Sequence, residues 1–547
     1  MQSVLKTGLL SIIMVLAMAI GSYAGPQAAI RNVTVGNHHE LLVNGKPFLP
    51  IMSWLQAPKN FAMLRELGFN TFTGNQREVT AKMQCDAAKA AGGYAIAEFG
   101  KDGQGAIGHP YLLGWILGDE PDNPRTGSNA VIEPAKHMKV NAETPYTRLV
   151  DGVTSSWTVL DPLVGGEFTI DLNKPVTVKK LAIWLTASKS LRVAKEIEFR
   201  GDGRLVLKTT LVNRRGSQSF DLRQPATFKA LTVKVLSAYP GKSSWGSIGE
   251  VEAFDASGKN VLLSKPYAVP KRSPEEIATV YHRIKAADPS RPVFLTFTGM
   301  FMKEYRNKYN ETMQKKLYPA YAKDCDVAGF DEYPIFGYNF PSHLNWPAAG
   351  VDQLQQWVGP NKPIYVWIET HKGSKWVTFK KQLDVLPKHT RYEVWSVLIR
   401  GATAIGYFTH AWQPKFTEFA PTAEMQSELK RLNNQITRLA PAILAGRTRR
   451  KVTMQMTDGL LCHFKATEYD GALYLFAQNT DLGPNASKLR QGQDISPRGG
   501  VATITIAGLK AGTKIKVVDE DRTITTSNGR FTDRFGPLAE HIYRIGK

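Results

Sequence analysis

The sequence predicts an α/β protein, in which a (β/α)8 barrel of the TIM type is interrupted by an inserted β-sandwich and followed by a C-terminal all-β domain. Short apolar runs alternate with amphipathic segments on both sides of a β-rich stretch, four runs before it and four after it. Eight is the number of strands that closes such a barrel. The length of 547 residues allows three to four domains at roughly 150 residues each.

The first segment resembles an export signal. Lys6 precedes the uncharged apolar run 9–20, and Ser22-Tyr23-Ala24 has the small-x-small pattern of a cleavage site. That run is shorter than the about 20 residues that a membrane-spanning helix needs, and no later stretch is long enough. We therefore expect an exported protein, periplasmic or extracellular, that loses residues 1–24 and has no transmembrane segment.

The first half of the barrel follows a predicted hairpin at residues 39–48, whose turn is Asn44-Gly45. Apolar runs then alternate with helical patterns, which predicts a parallel sheet with helical crossovers. The predicted strands are 48–54, 69–73, 94–99 and 112–117, and the predicted helices are 60–67 and 77–91.

The alternation stops after the fourth strand. From about 129 to 270, β-rich runs, among them the predicted strands 167–172 and 178–185, are divided by Gly, Asn, Pro and Ser turns, which is typical of a β-sandwich. Ser273-Pro274-Glu275-Glu276 then marks a helix start, because Ser suits the N-cap and Pro the first helical position. The second half of the barrel is predicted as strands 292–298, 326–333, 363–369 and 404–410, with helices 310–322, 351–358, 392–399 and 423–439.

These patterns divide the chain as follows. Residues 25–128 and 271–445 are assigned to the barrel, 129–270 to the insertion and 446–547 to a C-terminal β-sandwich domain. Cys85, Cys325 and Cys462 are far apart and odd in number. This argues against a disulfide framework or a cysteine-bound metal, so buried free thiols are expected.

The charge is strongly positive. Lys and Arg number 69 against 48 Asp and Glu, a formal charge of +21, which becomes +20 if Lys6 is removed. Such a balance raises nucleic acid, anionic surfaces and acidic substrates as partners. The export signal and the lack of a recognisable nucleic-acid module disfavour nucleic acid.

Acidic residues are concentrated where barrel strands end, and catalytic groups of such barrels lie at the C-terminal ends of the strands. Two carboxyl groups can cleave a glycosidic bond if one protonates the leaving oxygen and the other attacks the anomeric carbon from about 5 to 5.5 Å away. Each acid could instead end a strand in a solvated loop or join a salt bridge. The acids are Glu98 after strand three, Asp119 and Glu120 after strand four, Asp331 and Glu332 in strand six, and Glu369 after strand seven.

Aromatic residues accompany these acids. Trp54 ends strand one, and His410-Ala411-Trp412 ends strand eight, while His371 and Trp376 follow Glu369. Aromatic rings stack on the flat apolar faces of sugars, although core packing is the alternative for each Trp.

Several of these segments together resemble clan A glycoside hydrolases, over roughly residues 30–446 without the insertion. They are 43–48, 64–71, 109–115 running to Asp119-Glu120-Pro121, Phe330-Asp331-Glu332-Tyr333-Pro334 and 364–370. The resemblance implies an acid/base at Glu120 and a nucleophile at Glu369. It also implies that Tyr333 hydrogen-bonds the nucleophile, with core packing as the alternative. Most members have Asn where this chain has Asp119, and a carboxylate can accept but not donate the bond that this Asn makes to the sugar. The candidate substrate-binding residues are Asp119, Trp54, Tyr333, Glu98, Asp331, His410, Trp412 and Trp376.

The insertion has its own resemblance, to discoidin-like (coagulation-factor type C) modules. It is based on 149–152 with Ser156-Trp157, on 167–172, on 175–181 and on 246–252. The resemblance implies carbohydrate binding and a structural calcium ion; a packing or spacing role is the alternative. Asp151 and Glu250 are only two of the several oxygen ligands that calcium needs, so calcium is left open. No cofactor is expected for catalysis.

The expected function is that of a secreted retaining glycoside hydrolase that cleaves β-glycosidic bonds of a poly- or oligosaccharide. Glu120 would protonate the leaving oxygen and later deprotonate water, while Glu369 forms the glycosyl-enzyme. For this, Glu120 needs a raised pKa and Glu369 must stay ionised. The alternative is a non-catalytic glycan-binding surface protein on a degenerate barrel. In both cases the positive charge suggests attraction to an anionic polysaccharide or to a cell surface.

Overall fold

The computed structural model describes residues 25–186 and 191–546. The segment that resembles an export signal lies outside the described residues. The chain divides into two compact units, one formed by the chain up to Asn123 and from Pro270 onward, the other by Pro124–Val269. Within the described ranges, no helix has both the length and the apolar character needed to cross a bilayer.

A closed barrel of eight parallel strands forms the centre of the first unit, as the apolar runs predict. Each strand pairs with the next along the chain, and β8 pairs with β1 to close the cylinder. The strands are β1 (Ile51–Trp54), β2 (Thr71–Thr73), β3 (Tyr94–Glu98), β4 (Leu112–Ile116), β5 (Val293–Thr298), β6 (Val327–Asp331), β7 (Ile364–Glu369) and β8 (Ala404–Phe408).

Within the described residues, seven helices of at least six residues connect these strands or follow the last one. They are α1 (Phe61–Glu66), α2 (Ala81–Ala91), α3 (Pro274–Ala287), α4 (Glu311–Lys323), α5 (Trp346–Val358), α6 (Pro387–Arg400) and α7 (Ala423–Ile443). The predicted start of α3 is confirmed, because Ser273 and Glu276 form a reciprocal capping box. The predicted starts of α5 and α6 are each five residues too late. Both helices have a proline in their first two residues, Pro347 in α5 and Pro387 in α6. Proline suits the start of a helix because no helical hydrogen bond is lost there.

The interior of the barrel is filled by large aromatic side chains. Trp367 packs against Trp54 with ring centroids 5.2 Å apart, and the Tyr365 hydroxyl is 2.6 Å from Thr296 Oγ1. Glycines on neighbouring strands make room for these rings. A Cβ on Gly406 would lie 2.2 Å from the Trp367 ring.

The N-terminal hairpin is confirmed as part of a three-stranded antiparallel sheet. Its turn residues Asn44 and Gly45 have φ values of 53° and 77°, the left-handed conformation that Asn-Gly turns favour. The strands are Val33–Val35, Leu41–Val43 and Lys46–Phe48.

The inserted unit contains a seven-stranded antiparallel sheet around one hydrophobic core. The predicted strands at 167–172 and 178–185 are one continuous strand of 19 residues, whose register shifts between Asp171 and Val176, next to Pro175. Proline is tolerated in a sheet at such irregularities. The strands are Val131–Pro134, Thr158–Leu160, Glu167–Leu185, Ala194–Gly201, Arg204–Thr210, Gly216–Ala238 and Gly246–Phe254, with a pair formed by Pro124–Gly127 and Tyr267–Pro270.

The C-terminal region folds as two antiparallel sheets that share one core. It belongs to the same compact unit as the barrel, and Gln478 Nε2 donates to the Tyr392 carbonyl in α6 at 3.0 Å. One sheet contains Val452–Met456, Gly500–Ile506 and Arg530–Phe535; the other contains Cys462–Tyr469, Ala472–Asn479, Lys514–Val517, Arg522–Thr525 and Glu540–Ile545.

The three cysteines are free thiols, as expected. Cys85 and Cys325 are buried, and burial raises the pKa of both thiols, to about 12 and about 11 respectively. Cys462 is only partly buried, which corrects the expectation for that residue.

The barrel packing gives a stability prediction. Gly406→Ala places a methyl group against the Trp367 ring and should lower the free energy of unfolding by roughly 1–3 kcal/mol, the usual range for overpacking. Gly105→Ala is the matched control, because a Cβ there meets no atom within 4 Å. Urea unfolding of both variants checks this, and equal stability of the two would contradict the packing described.

Candidate active site

Carboxyl groups meet at the C-terminal end of the barrel, where β4 and β6 end. Glu120 has a left-handed backbone, with φ at 49°, and its amide donates to the Thr296 carbonyl at 3.2 Å. Non-glycine residues in this conformation cost of order 1 kcal/mol and cluster at active sites. The Glu120 carboxyl accepts from Asn123 Nδ2 at 2.8 Å and is half-buried.

The carboxyl group of Asp331 lies beside that of Glu120. The pKa of Asp331 is raised well above its ordinary value, first by burial and then by the charges of Glu120 and Asp119. The pair therefore provides a proton donor at the mouth of the barrel.

Asp119 lies beside this pair and is accessible from solvent at the mouth. Desolvation by the surrounding protein and the charge of the adjacent Glu120 raise the pKa of Asp119 to about 7, while the charge of Lys271 lowers it. Near neutral pH, Asp119 thus carries a proton part of the time.

Asp122 is a nearby acid that the sequence analysis missed. It is fully buried and accepts from the amide and hydroxyl of Thr298, at 2.9 and 2.8 Å, and from the Tyr318 hydroxyl at 2.9 Å. Burial raises its pKa to about 7. Asp122 fixes the loop after β4 to the end of β5, and its position directly after Asp119-Glu120-Pro121 was the available signal.

Glu369 is the last residue of β7, as predicted, and its side chain is buried. It is 1% exposed, and its carboxyl accepts from the amides of Ile335, at 3.0 Å to both oxygens, and Phe336, at 2.6 Å. Burial raises its pKa to about 7, although the two amides lower it. Near neutral pH, Glu369 therefore carries a proton part of the time, whereas the expected nucleophile stays ionised.

Glu393, in the middle of α6, is the second missed acid. It is fully buried, and its carboxyl lies against the carboxyl and the backbone of Glu369. Burial and Glu369 raise its pKa well above the ordinary value. Glu393 therefore holds a proton beside Glu369. No pattern in the sequence indicates this contact, because a Glu in a helix is usually on the solvent-exposed face.

Tyr333 lies between the two carboxyl pairs. It is 8% exposed, and Asp331, Asp119, Glu120 and Glu369 all act, after burial, to raise its pKa far above the usual value. Within the described part of the chain, its hydroxyl makes no hydrogen bond to Glu369, so the bond implied by the resemblance is absent. The backbone amides of Ile335 and Phe336, in the loop after β6, donate to Glu369 instead.

Glu332 directly follows β6 and is also buried. The Tyr305 hydroxyl bridges its two oxygens, at 2.9 and 3.1 Å. Burial raises its pKa to about 8, and the charge of Glu369 adds to the shift. Glu332 is thus part of the structural surroundings of Glu369. Glu98, in contrast, is exposed at the end of β3, and desolvation raises its pKa.

An exposed aromatic surface lies after β7 and β8. Trp376 is 58% exposed and packs edge-on against Trp412, with ring centroids 5.4 Å apart. Lys375 Nζ lies 5.5 and 5.1 Å from the two ring centroids. Phe336 contacts both rings. These two tryptophans are therefore available to stack on a sugar.

The other predicted aromatic contacts are less accessible. Trp54 is 9% exposed and packs on Trp367, which favours the core-packing alternative. His410 is 7% exposed, and burial lowers its pKa. His371 is 4% exposed, and burial lowers its pKa to about 4, so it is neutral. Phe416, which was missed, is 64% exposed beside His410.

In the inserted unit, Asp151 and Glu250 lie together. The Val153 amide donates to both, at 2.7 and 3.0 Å, and the Ser156 hydroxyl contacts Asp151. Glu250 Oε2 is buried without a partner, and burial and Asp151 raise the Glu250 pKa to about 9. No group of three or more His, Cys, Asp or Glu side chains forms a metal site within residues 25–186 and 191–546. The orphaned oxygen, second carboxyl and hydroxyl nevertheless suit a hard cation such as calcium.

No family model matches the chain, and no curated protein matches it. Solved structures similar to it include the family 32 CBM of Clostridium perfringens NanJ in complex with galactose, 14% identical, covering 23% of this chain and 92% of that chain at a TM-score of 0.20. The CBM32 of AlyQ in complex with 4,5-unsaturated mannuronic acid is 18% identical, covering 23% and 95% at 0.20. An Anoxybacillus alpha-amylase is 9% identical, covering 50% and 57% at 0.32. At these values the similarities assign neither activity nor ligand to this chain.

The Glu369–Glu393 pair predicts a pH effect on stability. Because the folded-state pKa of both groups lies above the unfolded value of 4.5, the folded protein holds protons that the unfolded chain has lost, and stability falls as pH rises from about 4.5 to about 7. Glu393→Gln keeps a donor but removes one titrating group, so this fall should become shallower by up to about 1.4 kcal/mol per pH unit.

Urea unfolding between about pH 5 and pH 7 measures this slope. Glu66→Gln, which removes an exposed Glu, is the matched control and should keep the wild-type slope. A Glu393→Gln slope equal to that of the control would show that the pair does not share a proton.

Proposed function

We propose that this protein is an exported glycoside hydrolase that cleaves β-glycosidic bonds with retention of configuration. The observation that carries the proposal is the position of Asp331, whose raised pKa keeps a proton on it near neutral pH, beside Glu120 at the barrel mouth. Hydrolysis of a glycoside needs a carboxylic acid that is still protonated near neutral pH, and sharing a proton between like charges is an established way to obtain one.

The first step transfers this proton. The Glu120–Asp331 pair donates it to the glycosidic oxygen while the bond from that oxygen to the anomeric carbon breaks. Asp331 then retains no proton, so both carboxylates repel each other and Glu120 becomes a base for the second step. In that step Glu120 removes a proton from the water that attacks the glycosyl-enzyme.

Glu369 is the proposed nucleophile, one of its oxygens forming the bond to the anomeric carbon. The amides of Ile335 and Phe336 and the proton on Glu393 stabilise its negative charge inside the protein. These donors offset the cost of burying a carboxylate. Tyr333, which lies near both pairs, places a phenol next to the reacting centre.

Asp119 would contact the sugar. Its raised pKa allows it to donate a hydrogen bond from its protonated form, as the Asn of clan A enzymes does through its amide. Asp119 can thus donate the hydrogen bond that Asn would donate, but only at pH values where Asp119 is protonated. Trp376 and Trp412 would stack on the sugar ring.

A second function is favoured by the burial of Glu369. A carboxyl that is 1% exposed and held by two amides is equally suited to stabilising the loop after β6. In that case the barrel would bind glycans without cleaving them. Turnover of any glycoside in a panel of chromogenic β-glycosides and polysaccharides would exclude this second function.

The inserted unit is proposed as a carbohydrate-binding module with a preference for anionic glycans. Trp157 and Trp245 are 46% and 37% exposed, and exposed indole rings suit sugar faces. The unit carries 21 Lys and Arg against 13 Asp and Glu. Binding to an acidic polysaccharide should therefore weaken with salt more steeply than binding to a neutral one.

Substitutions at the two carboxyl pairs test the hydrolase. Glu120→Gln should lower kcat/KM about 10²- to 10⁴-fold on substrates with poor leaving groups, because the acid is lost. Asp331→Asn should shift the alkaline limb of the pH–rate profile to lower pH, because Asn donates to Glu120 and leaves it ionised. Asp119→Asn is the matched control at the same mouth, since it keeps a donor at every pH, and it should stay active. Loss of activity in Asp119→Asn with none in Glu120→Gln would contradict the assignment.

Calcium is the proposed resident cation of the inserted unit, held by the carboxyls of Asp151 and Glu250 and the hydroxyl of Ser156. Adding CaCl2 after chelation should raise the melting temperature of the full chain, because the ion binds only the folded unit. Glu250→Gln should abolish the increase, while Glu143→Gln, at an exposed position, should retain it. A calcium response that survives Glu250→Gln would rule out this site.

A further inference from the structure

A cavity of about 310 Å3 lies in the first unit, away from the barrel mouth. It is formed where α6 and α7 end and where the C-terminal strand Cys462–Tyr469 passes them. Thr403, directly before β8, lines it, so the cavity is at the N-terminal end of the strands. Its polar lining includes His38, Gln355, Arg400, Thr403, Arg447 and Lys465.

Lys465 is the unusual member of this lining. Only 8% of the residue is exposed, and its ammonium donates to the Ile443 carbonyl at 2.7 Å. Among the described residues no carboxylate lies within ion-pair distance of it. An ammonium has three donors, and Lys is rarely buried without a partner of opposite charge. The burial of Lys465 therefore leaves charge and donors uncompensated.

The surrounding charges do not supply the missing partner. Arg400 is neutralised by Asp352, with an N–O distance of 2.9 Å, and it also contacts His463 at 3.2 Å. Burial lowers the pKa of His463 to about 4, so that ring is neutral. Arg447 has no ion pair within the described residues, although Asp352 lies within range of its charge, and that charge also acts on Lys465. Lys465 and Arg447 thus form a pair of like charges at one cavity.

We propose that this cavity binds a small organic anion, whose carboxylate or phosphate group contacts Lys465 and Arg447. The volume is within the range of small-molecule sites, roughly 300–1,000 Å3, and leaves room for the rest of a molecule of monosaccharide size. Lys supplies a point charge and Arg a planar pair of donors, a combination suited to oxyanions. Gln355 and Thr403 provide amide and hydroxyl groups for uncharged parts of the ligand.

This site does not depend on the proposed hydrolase activity, since none of its residues belongs to the carboxyl pairs. It has its own pH dependence. Burial and the charge of Arg447 lower the Lys465 pKa to about 8, so the ammonium loses its proton as pH rises through that value. His38 and His39 face the same cavity, and Asp352 faces Arg400. To separate the contribution of Lys465 from theirs, the pH dependence of anion affinity is compared between the wild type and a variant that lacks Lys465.

Isothermal titration calorimetry of the full chain tests the proposal, with inorganic phosphate, D-glucuronate and neutral D-glucose as probes. At least one anion should bind saturably near pH 7, and glucose alone should not. Lys465→Met and Arg447→Gln should each weaken that binding at least about tenfold, as expected for loss of a charge-assisted hydrogen bond. Lys451→Met, which removes an exposed Lys, should bind as the wild type does.

The choice of anion that binds identifies the class of ligand. Binding of phosphate only assigns a phosphorylated ligand, and binding of glucuronate only assigns a sugar acid. Lys465→Met could unfold, so Arg447→Gln, at an exposed position, gives the same test without disturbing the core. No binding of either anion, or binding that neither variant weakens, overturns the proposal. So does wild-type affinity that stays constant between about pH 7 and pH 9, across the Lys465 pKa of about 8.

Discussion

A carboxyl group buried without water must either share a proton or receive hydrogen bonds, and this constraint organises the mouth of the barrel. Asp331 holds a proton beside Glu120, and Glu393 holds one beside Glu369. Parallel strands end side by side, so acids at strand ends are brought together whether or not their charges agree. The fold thus places acidic side chains close enough to repel one another. Protons held by Asp331 and Glu393, and the backbone amides that donate to Glu369, reduce this repulsion. The same arrangement keeps an acid available near neutral pH, which is the requirement for cleaving a glycoside.

The barrel could be predicted because its signal is local. Each strand is an apolar run of suitable length, and the residues that end those runs, such as Glu120 and Glu369, could be located by counting. Helix starts were less predictable where proline was the main signal, as at Pro387, because proline also occurs in loops. The long bent strand of the inserted unit was divided into two predicted strands because Pro175 looked like a turn.

The partners of the acids could not be predicted in the same way. Glu393 lies in the middle of α6 and not at the end of a strand. Only the tertiary packing of α6 brings it to Glu369. The direction of the Glu369 side chain depends on amides in the loop after β6, which no pattern in the sequence reveals. Lys465 was equally hidden, since a Lys in a strand is normally on the solvent face. In each case the informative property is burial of a charge, which is set by the whole fold.

Trapping of the glycosyl-enzyme tests the central claim most directly. The chain is incubated with a panel of 2-deoxy-2-fluoro β-glycosides carrying good leaving groups, which slow the second step more than the first, and its mass is then measured before and after proteolysis. We expect the mass to increase by one fluoroglycosyl group, located on Glu369. A label on any other carboxyl group, or turnover of substrates by the same protein with inversion of the anomeric centre, would contradict it.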